Sequence, residues 1–189
     1  MLHLSIDLET LGTNIDSQII QIGACVFNPR TDDIHSSLFS TKIRLDQDVN
    51  INATPGTLKF WAQQVAENPA MLDVLDTSVG HPMTDALALL SEYCKEYEIE
   101  AVWANGTKFD IGMLEYQYKL NNMQVPWEFN ADRCMRTVRA LNPEHARCVA
   151  KANEYSTPGL GAHDAITDAV WQARYIQLAL RSMHQQGLK

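Results

Sequence analysis

Three small acidic groups, one of them with a histidine, are the positions in this sequence best equipped to do chemistry. Asp7 and Glu9 stand two residues apart in Leu4-Ser-Ile-Asp-Leu-Glu-Thr10. Alternate side chains of an extended strand share a face, so both carboxylates point the same way. Two neighbouring anions on one face repel, and a cation between them relieves the repulsion; an ordinary solvated strand end would carry the same pair. Asp110 closes the run Trp103-Ala-Asn-Gly-Thr-Lys-Phe-Asp110, in which a strand runs into a glycine turn and the acid falls in the first turn of the next helix. There it either complements the helix dipole or projects into the crevice at the carboxyl ends of the strands, where open α/β sheets bind ligands. His163 and Asp168 lie in Gly161-Ala-His-Asp-Ala-Ile-Thr-Asp-Ala169. If both were helical they would point about 140° apart. His163 is therefore expected at or before the first turn, on a glycine-rich loop, where it could swing into a site or merely cap the helix. Asp168 is expected on the flank of the terminal helix's apolar stripe, where a carboxylate can face a site without being buried unpaired.

The elements that must position these groups can be read from periodicity. Residues 3–7, 18–27 and 38–45 alternate or run apolar, and short turns such as Asn28-Pro29 join them; they predict three strands in an antiparallel meander. Residues 57–65, carrying Leu58 and Trp61, predict a short helix. Met83, Leu87, Leu90, Cys94 and Tyr97 have helical spacing, with Pro82 at the start. A short apolar strand over 100–105 follows, then a helical stripe through Phe109, Met113, Tyr116 and Leu120. A fifth strand fits 129–133, a short helix 135–141, a loop Pro158-Gly159-Leu160-Gly161, and a long terminal helix the stripe from Ala165 to Leu180. The order predicts an α/β fold with a five-stranded mixed sheet, three antiparallel N-terminal strands and then parallel ones, with helices on both faces. No linker or repeat divides the chain, so residues 1–189 are expected to form one domain.

Composition narrows the function. With 189 residues and 46% hydrophobic content, one well-cored domain is expected. No apolar run approaches the roughly 20 residues of a membrane span, and no basic region precedes an apolar one at the N-terminus, so neither a membrane partner nor a signal peptide is expected. Cys25, Cys94, Cys134 and Cys148 are scattered without close pairs, the pattern of reduced core cysteines in a cytoplasmic protein. His145 and Cys148 form only an HxxC pair, a weak metal signal. A net charge of −8 argues against a protein that coats long stretches of nucleic acid. An enzyme that grips only a strand end escapes that argument, because bound cations reverse the sign of an acidic site.

Taken together, the three groups resemble the motifs of the DEDDh exonucleases of the ribonuclease H-like superfamily, which include oligoribonuclease, ribonuclease T and the polymerase III proofreading subunit. Asp7-Leu-Glu-Thr10 is similar to the first motif, Phe109-Asp110 to the second, and His163 with Asp168 to the third, in the same order over about residues 3 to 180. Trp103-Ala-Asn-Gly-Thr-Lys-Phe-Asp110 resembles the WGNGxxFD form of phage-type 3′–5′ exonucleases and exoribonuclease-like domains. The Leu58–Trp61 helix and Ala131-Asp-Arg-Cys-Met-Arg-Thr137 are similar to that branch as well.

The resemblance implies a ribonuclease H-like fold and a 3′→5′ exonuclease releasing nucleoside 5′-monophosphates. It implies that Asp7, Glu9, Asp110 and Asp168 hold two Mg²⁺ ions, with Mn²⁺ able to substitute, about 3.5–4 Å apart, and that His163 acts as general base. The implied partners are the 3′ ends of single-stranded DNA or RNA, DNA slightly favoured by the phage-type motif, and a homodimer is open because relatives form them. Thr10 and Leu11 would border the terminal nucleotide, with Asn105 orienting the site. Phe109 and Trp61 are candidates for base stacking, although Phe109 also opens a core stripe. Lys59 and Lys108 either touch phosphates or are simply solvated. Two rivals are weaker. A non-catalytic binding module predicts a gap in the acidic set, and none is present. An aspartyl phosphatase built on Asp7 wants a second aspartate where Glu9 stands.

Overall fold

The computed structural model describes residues 2–45, 50–154 and 163–187. Its elements in chain order are β1 (Leu2–Thr10), β2 (Ile19–Phe27), β3 (Ile34–Lys42), α1 (Pro55–Glu67), α2 (Met71–Val74), α3 (Met83–Lys95), β4 (Ile99–Ala104), α4 (Asp110–Leu120), β5 (Asp132–Cys134), α5 (Met135–Leu141), α6 (His145–Asn153) and α7 (Ala165–Gln185). The sheet order is β3-β2-β1-β4-β5. β1, β2 and β3 pair antiparallel, and β4 and β5 add to β1 in parallel. This is the mixed five-stranded sheet expected, and β1, which carries the acidic pair, lies at its centre.

Strand alternation sorts the core onto two faces. Leu4, Ile6 and Leu8 of β1 join Ala24 and Val26 of β2 and Val102 of β4 beneath Leu87, Leu90, Leu114 and Tyr118 of α3 and α4. On the other face, Cys25, Phe27, Ala101 and Trp103 meet Met135, Cys148, Ala173, Tyr175 and Ile176 of α5, α6 and α7. The odd-numbered residues of β1, Asp7 and Glu9 among them, therefore belong to the face covered by α7. A third cluster, Ile20, Trp61, Met71 and Val74, seats α1 and α2 against the start of β2.

Several boundaries differ from those read in the sequence. β3 runs over Ile34–Lys42 rather than 38–45; it is an edge strand with much of its length exposed, so its alternation is a poor guide to where pairing begins. β5 is the three-residue Asp132–Cys134, and Phe129, expected at its start, is 91% exposed in the preceding turn. Two helices escaped periodicity. α2 is a single turn, and α6 buries only Cys148 and Ala152, too narrow a stripe to register. The Pro158–Gly161 loop expectation lies outside the described residues.

Candidate active site

Asp7 and Glu9 project toward α7 because of the register around them. Asp7 stands opposite Gly23 of β2 and Glu9 opposite Gln21. Gly23 permits close approach of the helix: a Cβ there would lie 2.2 Å from the Ala165 carbonyl carbon, a separation no side chain survives. Gln21 fixes the same turn. Its Nε2 donates to Asp164 Oδ1 at 2.8 Å, and its Oε1 accepts the Ala165 N–H at 3.2 Å. Asp164 is the N-cap of α7, with Oδ2 accepting from the Thr167 N–H and hydroxyl at 3.2 and 2.7 Å. The first turn of the helix is thereby pinned to the strand next to β1, and Asp168 follows within it.

Asp110 arrives from the opposite side as the first residue of α4. The pairing of β1 with β4 ends at Ser5–Trp103, and beyond it Asp110 Oδ1 accepts the Leu8 N–H at 3.2 Å. His163 stands just before the Asp164 cap, as expected, with φ of 70°, a left-handed conformation uncommon for a residue with a side chain. Its N–H donates to Asp168 Oδ2 at 3.1 Å. Its ring meets Phe60 edge-on at 4.9 Å and Trp61 at 6.3 Å, and a ring nitrogen and carboxylate oxygens of Glu9 and Asp168 all lie within 4.8 Å of one another.

The electrostatics are those of crowded anions. Burial, then the charges of Asp110, Glu9 and Asp168, raise Asp7 well above the usual carboxylate range, with the Gln172 amide opposing. Burial, then Asp168, Asp164 and Asp110, push Glu9 up to about 8. Burial pushes Asp110 up to about 7 against the N–H groups it accepts and the nearby Arg136. Asp168 is raised by burial, against the N–H and charge of His163. The ion pairs among the described residues, Lys42–Asp73, Arg147–Glu144 and Arg181–Asp32, lie elsewhere. Four all-oxygen donors crowded at this cost fit a hard divalent cation. So does Gln172 Oε1, which is buried without a partner among the described residues; an unpaired buried acceptor costs about 1–3 kcal/mol, and a water of a cation's shell would satisfy it.

The remaining expected residues take more varied places. Trp61 is 3% exposed, and its indole N–H donates to the Thr10 carbonyl at 2.8 Å. With Phe60 and His163 against it, the ring has no open face for a base, so its place is structural rather than that of a stacking platform. Thr10 is buried, with its hydroxyl donating to the Gly12 carbonyl, and Leu11 packs on the α1–α2 cluster. Phe109 packs against the core as its spacing suggested. Asn105 sits just past β4, with a buried Oδ1 lacking a partner among the described residues. Lys59 and Lys108 are exposed. His145 Nδ1 and Cys148 Sγ make separate hydrogen bonds, to Tyr175 and from Asn142. Sequence reasoning missed Gln172, Gln21, Gly23 and Phe60. The available signal for Gln172 was a polar residue one helical turn beyond Asp168, inside an apolar stripe.

Comparisons with known proteins bear on the family and the fold. The model of a family described as the 3′-5′ exoribonuclease Rv2179c-like domain matches residues 2–180. No curated protein matches the chain. Among solved structures, the chain is similar to the nuclease domain of 3′hExo, a DEDDh family member bound to rAMP, at 14% identity over 99% of this chain and 93% of that one, with a TM-score of 0.60. It is also similar to the RNase domain of the yeast Pop2 protein, at 15% identity over 96% of this chain and 78% of that one, with a TM-score of 0.61. At such identities the likeness is one of fold, the ribonuclease H-like architecture expected above.

Proposed function

The chain belongs to the family of Rv2179c-like 3′-5′ exoribonuclease domains, and from that premise we propose that it shortens single-stranded RNA from the 3′ end, releasing nucleoside 5′-monophosphates. The observation that carries the reading is the convergence of acids from three elements: Glu9 of β1 lies with Asp168 of α7 and His163 within 4.8 Å, Asp7 two residues before it is held by Gln172 of α7, and Asp110 of α4 accepts the Leu8 N–H between the two. The phage-type motif leans toward DNA; the family's description favours RNA, and RNA is the substrate proposed.

Asp7, Glu9, Asp110 and Asp168 would hold two Mg²⁺ ions, with Mn²⁺ as substitute. When bound, such ions neutralise charge on the phosphate and make water a better nucleophile near neutral pH. The chain's own residues supply the rest. His163 takes the proton of the attacking water on a ring nitrogen, its ring held by Phe60 and Trp61 and its backbone by Asp168. Trp61 anchors the Thr10 carbonyl, so that Thr10 and Leu11 form a firm floor beside the terminal nucleotide. Asn105 borders the site past β4, and Lys59 and Lys108 are free to meet phosphates farther along the strand.

The test is matched 5′-labelled RNA and DNA strands with Mg²⁺ or Mn²⁺, beside an EDTA control and Asp7→Ala. A metal-dependent ladder shortening from the 3′ end, faster on RNA and absent in the variant, is expected. Preferential shortening of DNA would reverse the sugar assignment, and two intact strands under both metals would end the exonuclease reading.

A further inference from the structure

Helix α7 offers β1 two polar side chains. Asp168 and Gln172 are one turn apart, about 6 Å along the helix axis; Asp7 and Glu9 are two strand residues apart, about 6.6 Å. Because the spacings agree, two rungs form at once: Asp168 lies by Glu9, and Gln172 meets Asp7. The flanking Ala169 and Ala173 are fully buried and small enough to keep the helix close. Gln172 is 3% exposed, and its Nε2 donates to Asp7 Oδ1 at 2.6 Å. Its Oε1 is buried with no partner among the described residues.

The side-chain type matters here. A carboxylate at this position would add a fifth anion to the group, and an aliphatic residue would leave Asp7 free to rotate. A primary amide holds one carboxylate oxygen without adding charge and still presents a carbonyl.

We infer that Gln172 is a positioning residue: its amide N–H fixes Asp7 Oδ1 and leaves the other carboxylate oxygen for the cation the acids would hold, and its free carbonyl would accept from a water of that site. The inference rests on the metal reading of the Asp7 centre proposed above and adds a group that the sequence motif does not contain. Gln172 acts through Asp7 and touches neither substrate nor leaving group. Losing it should weaken metal binding and slow turnover while leaving the Michaelis constant for RNA nearly unchanged.

The experiment is titration of the metal-free protein with Mn²⁺, free ion followed by electron paramagnetic resonance, for wild type, Gln172→Met, Asp7→Asn and the double variant. Loss of an outer partner of a metal ligand typically costs about 10–100-fold in affinity or activity, and that weakening is expected for Gln172→Met. In the Asp7→Asn background the same change should cost little more, because the group it orients has been altered. Gln172→Asn keeps the amide but withdraws it by one methylene, and should follow Gln172→Met even if one of the two folds poorly. Wild-type Mn²⁺ affinity in both variants, or losses that add fully in the double variant, would overturn the inference and leave the metal reading standing. A wild-type protein that takes up no Mn²⁺ would instead remove the metal reading and this inference with it.

Discussion

Crowding of Asp7, Glu9, Asp110 and Asp168 sets a cost that the folded chain carries until a cation is bound. Burial and neighbouring charge push Glu9 up to about 8, and burial pushes Asp110 up to about 7, against about 4.3 and 3.9 in an unfolded chain. Between those limits the folded state keeps protons that the unfolded state has released, so stability falls as pH rises through this range. His3, pushed down to about 4 by burial, opposes this trend between about 4 and 6.5, and its effect fades as pH rises from 6.5 to 8. In EDTA, the melting temperature should therefore drop across that interval, and Mg²⁺ should restore it most at the alkaline end. Asp7→Asn removes one carboxylate from the crowded group at nearly constant side-chain size. It should raise the metal-free melting temperature at pH 8 by roughly 2–4 °C for each kcal/mol of repulsion relieved, weaken the Mg²⁺ response and abolish cleavage. A metal-free melting temperature that is flat or rises with pH would contradict the crowding argument.

At the scale of elements, the site depends on how closely α7 lies against β2, and Gly23 is the point of closest approach. Gly23→Ala would press a methyl group into the Ala165 backbone, which is 2.2 Å from the ideal Cβ position. Overpacking of this kind costs about 1–3 kcal/mol, and the relief available is to lift the first turn of α7, carrying Asp168 and His163 with it. Cleavage should fall at least 100-fold, as expected for displaced catalytic groups, in a protein that still melts cooperatively; near-wild-type activity in Gly23→Ala would show that the turn does not set the site. This dependence also explains what was legible in the sequence. The acidic groups announced themselves because chemistry demands particular residue types, β1, α4 and α7 because their buried faces have a period, and β2 because it is buried along its whole length and so runs largely apolar. Gly23 and Gln21 gave no such signal, and Gln172 only that of a polar residue inside an apolar stripe, since each owes its role to a partner more than 140 residues away in the chain for the first two and 165 for the last. Trp61 is a stacking candidate in the sequence for a related reason: an aromatic residue reads alike whether it covers a ligand or, as here, braces the Thr10 carbonyl. The strands at the sheet edges, β3 and β5, drifted from their expected bounds because only part of their length is buried.

Over the whole molecule, a net charge of −8 opposes the approach of a polyanion, while the acids of the site attract the cations that reverse the local sign. On the proposed function, an enzyme built this way would hold RNA at its end and little elsewhere. For single strands, the logarithm of affinity falls by about 0.7 per phosphate neutralised for each unit of log salt concentration. Contact with one or two phosphates should therefore give kcat/KM a slope near −1 against log KCl at fixed Mg²⁺. Few contacts also mean release after each cut. With substrate in excess, all labelled strands should shorten together by single nucleotides rather than divide into intact and fully digested populations. A slope of about −3 or steeper, together with complete digestion of some strands while others stay untouched, would require a cationic track for the body of the RNA. The exposed lysines Lys59 and Lys108 would then be the first positions to neutralise. If the slope is shallow and the ladder uniform, recognition resides in the metal-dependent grip on the 3′ end, and the acidic surface serves to let the shortened strand go.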